Sequence, residues 1–163
     1  VLENENQIFV QPLVNEDPGH VLGILEHPRT LATFSDSGAH VCQEMGSSLQ
    51  THMLNYWVRQ KQAFTLEKAV RMLTFDNALA WDIVGRGLIR KNYAADLVLF
   101  EENRIRPKIP KVQHDLPGGA PRLVQKSEGI SYTVVNGQIT LENGSSTGEY
   151  SGQVVKGRIA STH

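Results

Sequence analysis

The sequence predicts an α/β region over residues 1–84 and a smaller antiparallel β region over residues 85–163. Three observations lead to that division. Apolar runs at Gln7–Val10 and Leu31–Ser35 bracket a short helical stripe, a strand–helix–strand order that suits a βαβ unit with a parallel pair. Helical patterns then follow in quick succession as far as Trp81. Beyond Gly85 the chain turns to short β-prone runs, and Asn136-Gly137 is a strong two-residue hairpin signal.

Taken in order, Gln7-Ile8-Phe9-Val10 reads as a strand stopped by Pro12. Asp17-Pro18 is a helix start: the carboxylate accepts from free N–H groups and proline costs nothing at the first helical position. Val21, Leu22 and Leu25 form that helix's apolar stripe, and His27-Pro28 ends it. Ser47 or Ser48 caps a helix running to about Gln60, with Leu49, Met53, Leu54, Trp57 and Val58 at helical spacing. Thr65 starts the next, with Leu66, Ala69, Val70 and Leu73 inward, and Thr74–Trp81 forms a third, short helix. Ala95–Phe100, Ile130–Val135 and Gln138–Leu141 are strands, with a further turn at Glu142-Asn143-Gly144. Arg104–Lys126 holds Pro107, Pro110, Pro117, Gly118, Gly119 and Pro121, which predicts a long ordered loop with little regular structure.

Neither region closes by itself. The first offers two strands to a sheet that needs several, and the second three or four. The expectation is that further N-terminal sequence supplies the remaining strands; closure by a second copy of the chain is the alternative. The composition excludes some partners. Sixteen Lys and Arg against 17 Asp and Glu leave a formal charge of −1 without a basic stripe, so no nucleic acid is expected. No apolar stretch approaches the roughly 20 residues of a membrane span, so no membrane partner is expected either. The single cysteine, Cys42, suits a reducing, cytoplasmic setting.

Thr33-Phe34-Ser35-Asp36-Ser37-Gly38-Ala39-His40 is the most informative stretch. A carboxylate directly after a buried strand lies at the strand's C-terminal mouth, the edge where α/β proteins place their chemistry. A turn-starting aspartate is the plainer reading of the same residue. His40 follows closely enough to face the same pocket, as a hydrogen-bonding group or as a loop-fixing one. Asn15 and Glu16 follow a predicted strand and edge the pocket, or simply start the helix. Arg29 is a candidate carboxylate clamp or a surface ion-pair residue. Met53 and Trp57 are read as core, and Asp96 as a turn or strand-end residue.

The motifs Asn15-Glu16-Asp17, His27-Pro28-Arg29, Ser35-Asp36-Ser37-Gly38-Ala39-His40, Ala69-Val70-Arg71-Met72-Leu73-Thr74, Arg86-Gly87-Leu88-Ile89-Arg90, Ala95–Phe100, Glu128-Gly129-Ile130 and Val135-Asn136-Gly137 occur in that order. Together they resemble the C-terminal part of the amidohydrolase superfamily, in its D-aminoacylase-like branch, over nearly the whole chain. The resemblance implies a (β/α)₈ barrel with a small β-sandwich. Residues 1–84 would hold the last barrel strands and helices, and residues 85–163 the C-terminal share of the sandwich. It also implies hydrolysis of a small-molecule linear amide, an N-acyl-D-amino acid being the family-based choice. Asp36 would be metal ligand and proton shuttle beside one or two divalent ions, usually zinc. Substrate contacts would fall to His40, Asn15, Glu16 and Arg29.

The chain departs from a complete pattern of that family in having no His-x-His pair. His20, His27, His40, His52, His114 and His163 do not form a standard ligand spacing. The expected partners are therefore further barrel sequence, another copy or another subunit, with the isolated chain inactive. A non-catalytic structural or assembly module derived from an amidohydrolase is the competing expectation.

Overall fold

The computed structural model of the chain describes Phe9, residues 14–33 and residues 48–157. Helix α1, Pro18–Glu26, starts as the sequence predicts: Asp17 Oδ1 accepts from the Gly19 N–H at 2.7 Å and the His20 N–H at 3.1 Å. Helix α2 begins as an α-helical turn, Leu49–His52, and continues as a π-helical segment, Met53–Gln60. Eight residues of π-helix are uncommon, since such segments usually last a single turn and occur often at functional sites. The wide turn closes with the Lys61 N–H donating to the Tyr56 carbonyl at 2.8 Å. Helix α3, Leu66–Leu73, is capped by Thr65, whose hydroxyl accepts from the Lys68 N–H at 3.2 Å. Helix α4, Phe75–Ala80, follows after a break at Thr74. Arg71 spans that break to Asp76 at 2.9 Å.

Among the described residues no strand precedes Leu97, so the expected parallel pair is not found there. Leu31–Thr33 joins no ladder. The Ala32 carbonyl accepts instead from the Asn77 side-chain amide at 2.8 Å, which ties this segment to α4. Of the expected strand Gln7–Val10 only Phe9 is described, in no strand, and the end of the Leu31–Ser35 run lies outside the described residues.

The C-terminal region contains strands β1 Leu97–Phe100, β2 Arg106–Pro107, β3 Lys111–Gln113, β4 Arg122–Val124, β5 Ser127–Glu128, β6 Ile130–Val135, β7 Gln138–Glu142 and β8 Ser145–Ser146. Four of them make an antiparallel sheet in the order β1-β6-β7-β8. Asn136 and Gly137 turn the β6–β7 hairpin at φ of 48° and 81°, left-handed values that asparagine and glycine accommodate.

Residues 104–128 add short regular pieces to the expected Pro/Gly-rich loop. They form two short antiparallel ribbons, β2–β5 and β3–β4, with a 3₁₀ turn at Pro117–Gly119. Arg106 bridges to Glu128 at 3.1 Å, and Arg122 makes a two-pronged pair with Asp115 at 2.5 and 2.7 Å. Proline density argues against a central strand, but a two-stranded ribbon has only edges. A missing N–H is tolerated there.

One core crosses the boundary between the two regions. Ala32, Met53, Leu54, Trp57, Val58, Phe64 and Ala69 pack with Ile105, which is 1% exposed, and Phe100 and Ile130 lie against the same cluster. Arg59 adds a polar tie, donating to the Glu102 carbonyl at 2.9 Å. Seating Ile105 brings two backbones together at Gly129, whose φ is 86°. A Cβ there would lie 2.6 Å from the Ile105 nitrogen and 2.7 Å from the Arg104 carbonyl carbon. Among the described residues no helix is long and apolar enough to cross a membrane.

A polar node fixes the sheet's other end. Asp96 accepts from the Asn136 backbone N–H at 2.8 Å and from Arg86, which also donates to the Asn136 side chain at 2.7 Å. Asn136 in turn donates to the Ser151 carbonyl at 2.6 Å. Burial alone would raise the Asp96 carboxyl. The Asn136 N–H and the Arg86 guanidinium outweigh it and hold the pKa below the ordinary value.

These two features yield stability predictions. Gly129→Ala should cost about 2 kcal/mol or more, from left-handed strain plus backbone collision. Gly137→Ala, which meets no neighbouring atom, should cost about 1 kcal/mol. Urea denaturation that ranks the two equally would remove the close approach as the cause. Asp96→Asn should cost about 1–2 kcal/mol at pH 7. A depressed carboxyl stabilises the fold above the unfolded pKa of about 3.9, and that contribution is lost as pH falls through the lower folded value. The gap between Asp96→Asn and the parent should therefore narrow below about pH 4 in unfolding measurements.

Candidate functional site

A cleft of about 510 Å³ opens between the start of α1 and the face of α2. The backbone of Asn15 is left-handed, with φ of 59°, a conformation that asparagine tolerates better than most residues. Asn15 and Glu16 line the cleft mouth just before Asp17 caps the helix. Val21, Ile24 and Leu25 of α1 form one wall, and Leu49, His52, Met53, Tyr56 and Trp57 of α2 the other, with Ala32 between them.

The α2 wall is a stack of rings. His52 lies on Tyr56 with ring centroids 5.0 Å apart and planes 16° from parallel, and Tyr56 meets Trp57 edge-on at 4.9 Å. The far side of the stack is occupied by Lys61, whose ammonium lies 5.4 Å from the Tyr56 centroid. His52 is open to solvent on one side. Burial on the other lowers its pKa from the ordinary histidine value, so the ring is neutral at pH 7.

The expected site residues divide three ways. Asn15 and Glu16 are among the residues that line the cleft. Arg29 is exposed at the opposite end of α1, where its N–H donates to His27 Nδ1 at 3.2 Å, and is not among the cleft's lining residues. Helix α1 itself, nine residues at 1.5 Å each, is about 13 Å long and lies between Arg29 and the Asn15-Glu16 pair along the chain. Asp36, His40 and Cys42 lie outside the described residues. Ala32, which lines the cleft, stands four residues before Asp36 in the sequence. Among the described residues no group of three His, Cys, Asp or Glu side chains could hold a metal ion. The described part of the chain therefore does not make a metal site by itself.

His52 and Tyr56 were not singled out by sequence reasoning. The available signal was their i,i+4 spacing on the stripe that carries Met53 and Trp57. Asp96, read from sequence as structural, is held in the Arg86–Asn136 node away from the cleft's lining residues.

Residues 21–141 match the amidohydrolase family. The N-acyl-D-aspartate deacylase of Alcaligenes xylosoxydans xylosoxydans is 31% identical over 152 residues, which are 92% of this chain and 25% of that protein. The chain thus spans about a quarter of the length of this curated relative. A crystal structure of D-aminoacylase, described as defining a novel subset of amidohydrolases, overlaps 66% of this chain and 21% of its own, at 27% identity and a TM-score of 0.49. A second D-aminoacylase structure, concerned with the functional role of the binuclear metal centre, overlaps to the same extent.

The neutral ring of His52 makes a pH prediction. A depressed histidine binds its proton more weakly folded than unfolded, so its contribution is complete above the unfolded pKa of about 6.5 and is lost as pH falls toward the folded value. His52→Gln should lose less stability than the parent between about pH 7.5 and pH 5. Urea midpoints at the two pH values read this directly, and identical losses would show that the ring is not masked from protonation.

Proposed function

Because the chain belongs to the amidohydrolase family, in its D-aminoacylase-like branch, we propose that the protein hydrolyses a linear amide, with N-acyl-D-amino acids as substrate class. The observation that carries this reading is the family match, which includes the Ser35-Asp36-Ser37-Gly38-Ala39-His40 stretch. Residues 1–84 are then the last strands and helices of a (β/α)₈ barrel, and residues 85–163 the C-terminal share of its β-sandwich. The order α1, Leu31–Thr33, α2 and the antiparallel sheet behind them support that placement.

In this reading Asp36 accepts a proton from the attacking water and returns it to the departing amine, so one carboxylate serves both steps. His40 hydrogen-bonds the substrate carbonyl or carboxylate, and Asn15 and Glu16 edge the pocket. A bound divalent ion, zinc before others, supplies Lewis-acid polarisation and acidified water. Asp36 is the ligand contributed by this chain. The sequence has no His-x-His pair, so the remaining ligands come from polypeptide outside these 163 residues, and the 163 residues alone are inactive. The single Cys42 supports a reducing, cytoplasmic setting.

The second reading, a non-catalytic assembly module, is favoured by one observation: the sequence holds no His-x-His pair. The full-length protein should hydrolyse N-acyl-D-amino acids, lose activity to a chelator, and lose about 10²–10⁴-fold in kcat on Asp36→Asn. Turnover indifferent to both would sink the hydrolase mechanism. Near-stoichiometric metal together with amidase activity would exclude the assembly module.

A further inference from the structure

Asn77 is poorly suited to the interior of α4 on local grounds. Asparagine is a weak helix former, and Asn77 Oδ1 is buried with no hydrogen-bond partner among the described residues. What the side chain supplies is the other half of its amide, which donates to the Ala32 carbonyl at 2.8 Å across 45 positions of chain. Ala32 is buried in the core cluster with Met53 and Trp57 and joins no ladder. Removing the amide would leave its carbonyl desolvated without this partner.

Helix α4 is a fixed platform for that bond. The Asn77 carbonyl accepts from the Trp81 N–H at 3.0 Å, and the Ala78 carbonyl from the Ile83 N–H at 2.8 Å. Arg71 holds Asp76 in the first turn. Gly87, with φ of 82°, lies against the helix: a Cβ there would be 3.0 Å from both the Ala78 Cβ and the Phe75 Cα. Gly87 directly follows Arg86 of the Asp96–Asn136 node. The sheet's polar node, α4 and the Leu31–Thr33 segment therefore form one continuous run of contacts.

We propose that Asn77 is a positioning residue: its amide fixes the segment that leads into Asp36, and through that segment the carboxylate. The proposal rests on the hydrolase reading above and adds to it a residue that acts through another. Asp36 stands four residues after Ala32 in the sequence. A strand is ordinarily held by backbone donors of its neighbours. Here a side-chain amide takes that part at Ala32. A carboxylate that must serve both the attacking water and the departing amine tolerates little displacement, since a shift of about 1 Å costs as much as about 10²-fold in rate.

The full-length protein and its Asn77→Asp, Asn77→Leu and Gly137→Ala variants should be compared on the N-acetyl-D-amino acid that the parent turns over fastest. Asn77→Asp keeps the shape and removes the donor, whereas Asn77→Leu removes both polar ends and is the better helix former. Should one of the two fail to fold, the other carries the comparison. Each should lower kcat about tenfold or more, with KM within about twofold of the parent. Gly137→Ala weakens the fold at the hairpin turn, where its Cβ meets no atom. It should keep kcat within about twofold at a temperature where circular dichroism shows every protein folded. Hydrogen exchange reads the tether without turnover. A peptide spanning residues 27–33 should exchange about tenfold faster in both Asn77 variants, with β6 and β7 unchanged. If the parent hydrolyses no amide but exchange responds in this way, the hydrolase reading fails and the tether stands. Parental kcat in the Asn77 variants, a loss confined to KM or matched by Gly137→Ala, or unaltered exchange over residues 27–33 would overturn the positioning role.

Discussion

Burial of Ile105 is the contact on which the two halves of this chain depend. The side chain leaves the turn after β1 and enters the cluster built by Met53, Trp57 and Ala69, where only 1% of it stays exposed. To reach that position, the backbone at Arg104–Ile105 must pass so close to residue 129 that a Cβ there would lie 2.6–2.8 Å from it. Any side chain there would collide with it. Glycine at 129 is thus a steric requirement of the core, and its left-handed φ starts the long strand β6 in register with β1. The Gly129 carbonyl accepts from the Glu101 N–H at 2.8 Å, so the same point also closes the backbone ladder.

From that joint the structure has two different kinds of surface. The four-stranded sheet has no described residue in the fully buried class, and Val98 and Leu99 are about half exposed. Its order comes from backbone ladders and from the Arg86–Asp96–Asn136 node at one end. The helical layer instead buries an apolar stripe on α2 and leaves a concave face toward α1. Chemistry needs concavity, partial desolvation and a few placed polar groups. The α1–α2 face offers them through Asn15, Glu16 and the His52–Tyr56 stack.

Much of the architecture was legible because it rests on contacts between residues close in sequence. Asp17 and Thr65 cap their helices through hydrogen bonds to residues two or three positions ahead, and Asn136-Gly137 turns a hairpin by its own backbone preference. The ribbon at residues 104–128 was not legible. Its prolines are informative only once one knows whether the strand they occupy has one neighbour or two. Pairing partners such as Lys111 and Val124 are distant along the chain. The described Leu31–Thr33 segment joins no ladder, because a ladder needs a neighbouring strand; the Ala32 carbonyl is taken instead by Asn77 of α4.

The sequence by itself determined the helix starts, the β6–β7 hairpin, the family and the prominence of Asp36. Each is carried by residue types in a fixed order or by hydrogen bonds across a few positions. Tertiary structure decided that Ile105 joins the helices to the sheet, and that Asp96 serves as an anchor for Arg86 and Asn136. It also decided that His52 and Tyr56 share a cleft with Asn15 and Glu16 while Arg29 does not. These are facts about separation in space. Helix α1, about 13 Å long, stands between Arg29 and the Asn15-Glu16 pair, and the fold returns residue 52 to the side of residue 16. Residue order carries no record of that return, because it is set by which apolar faces exclude water together.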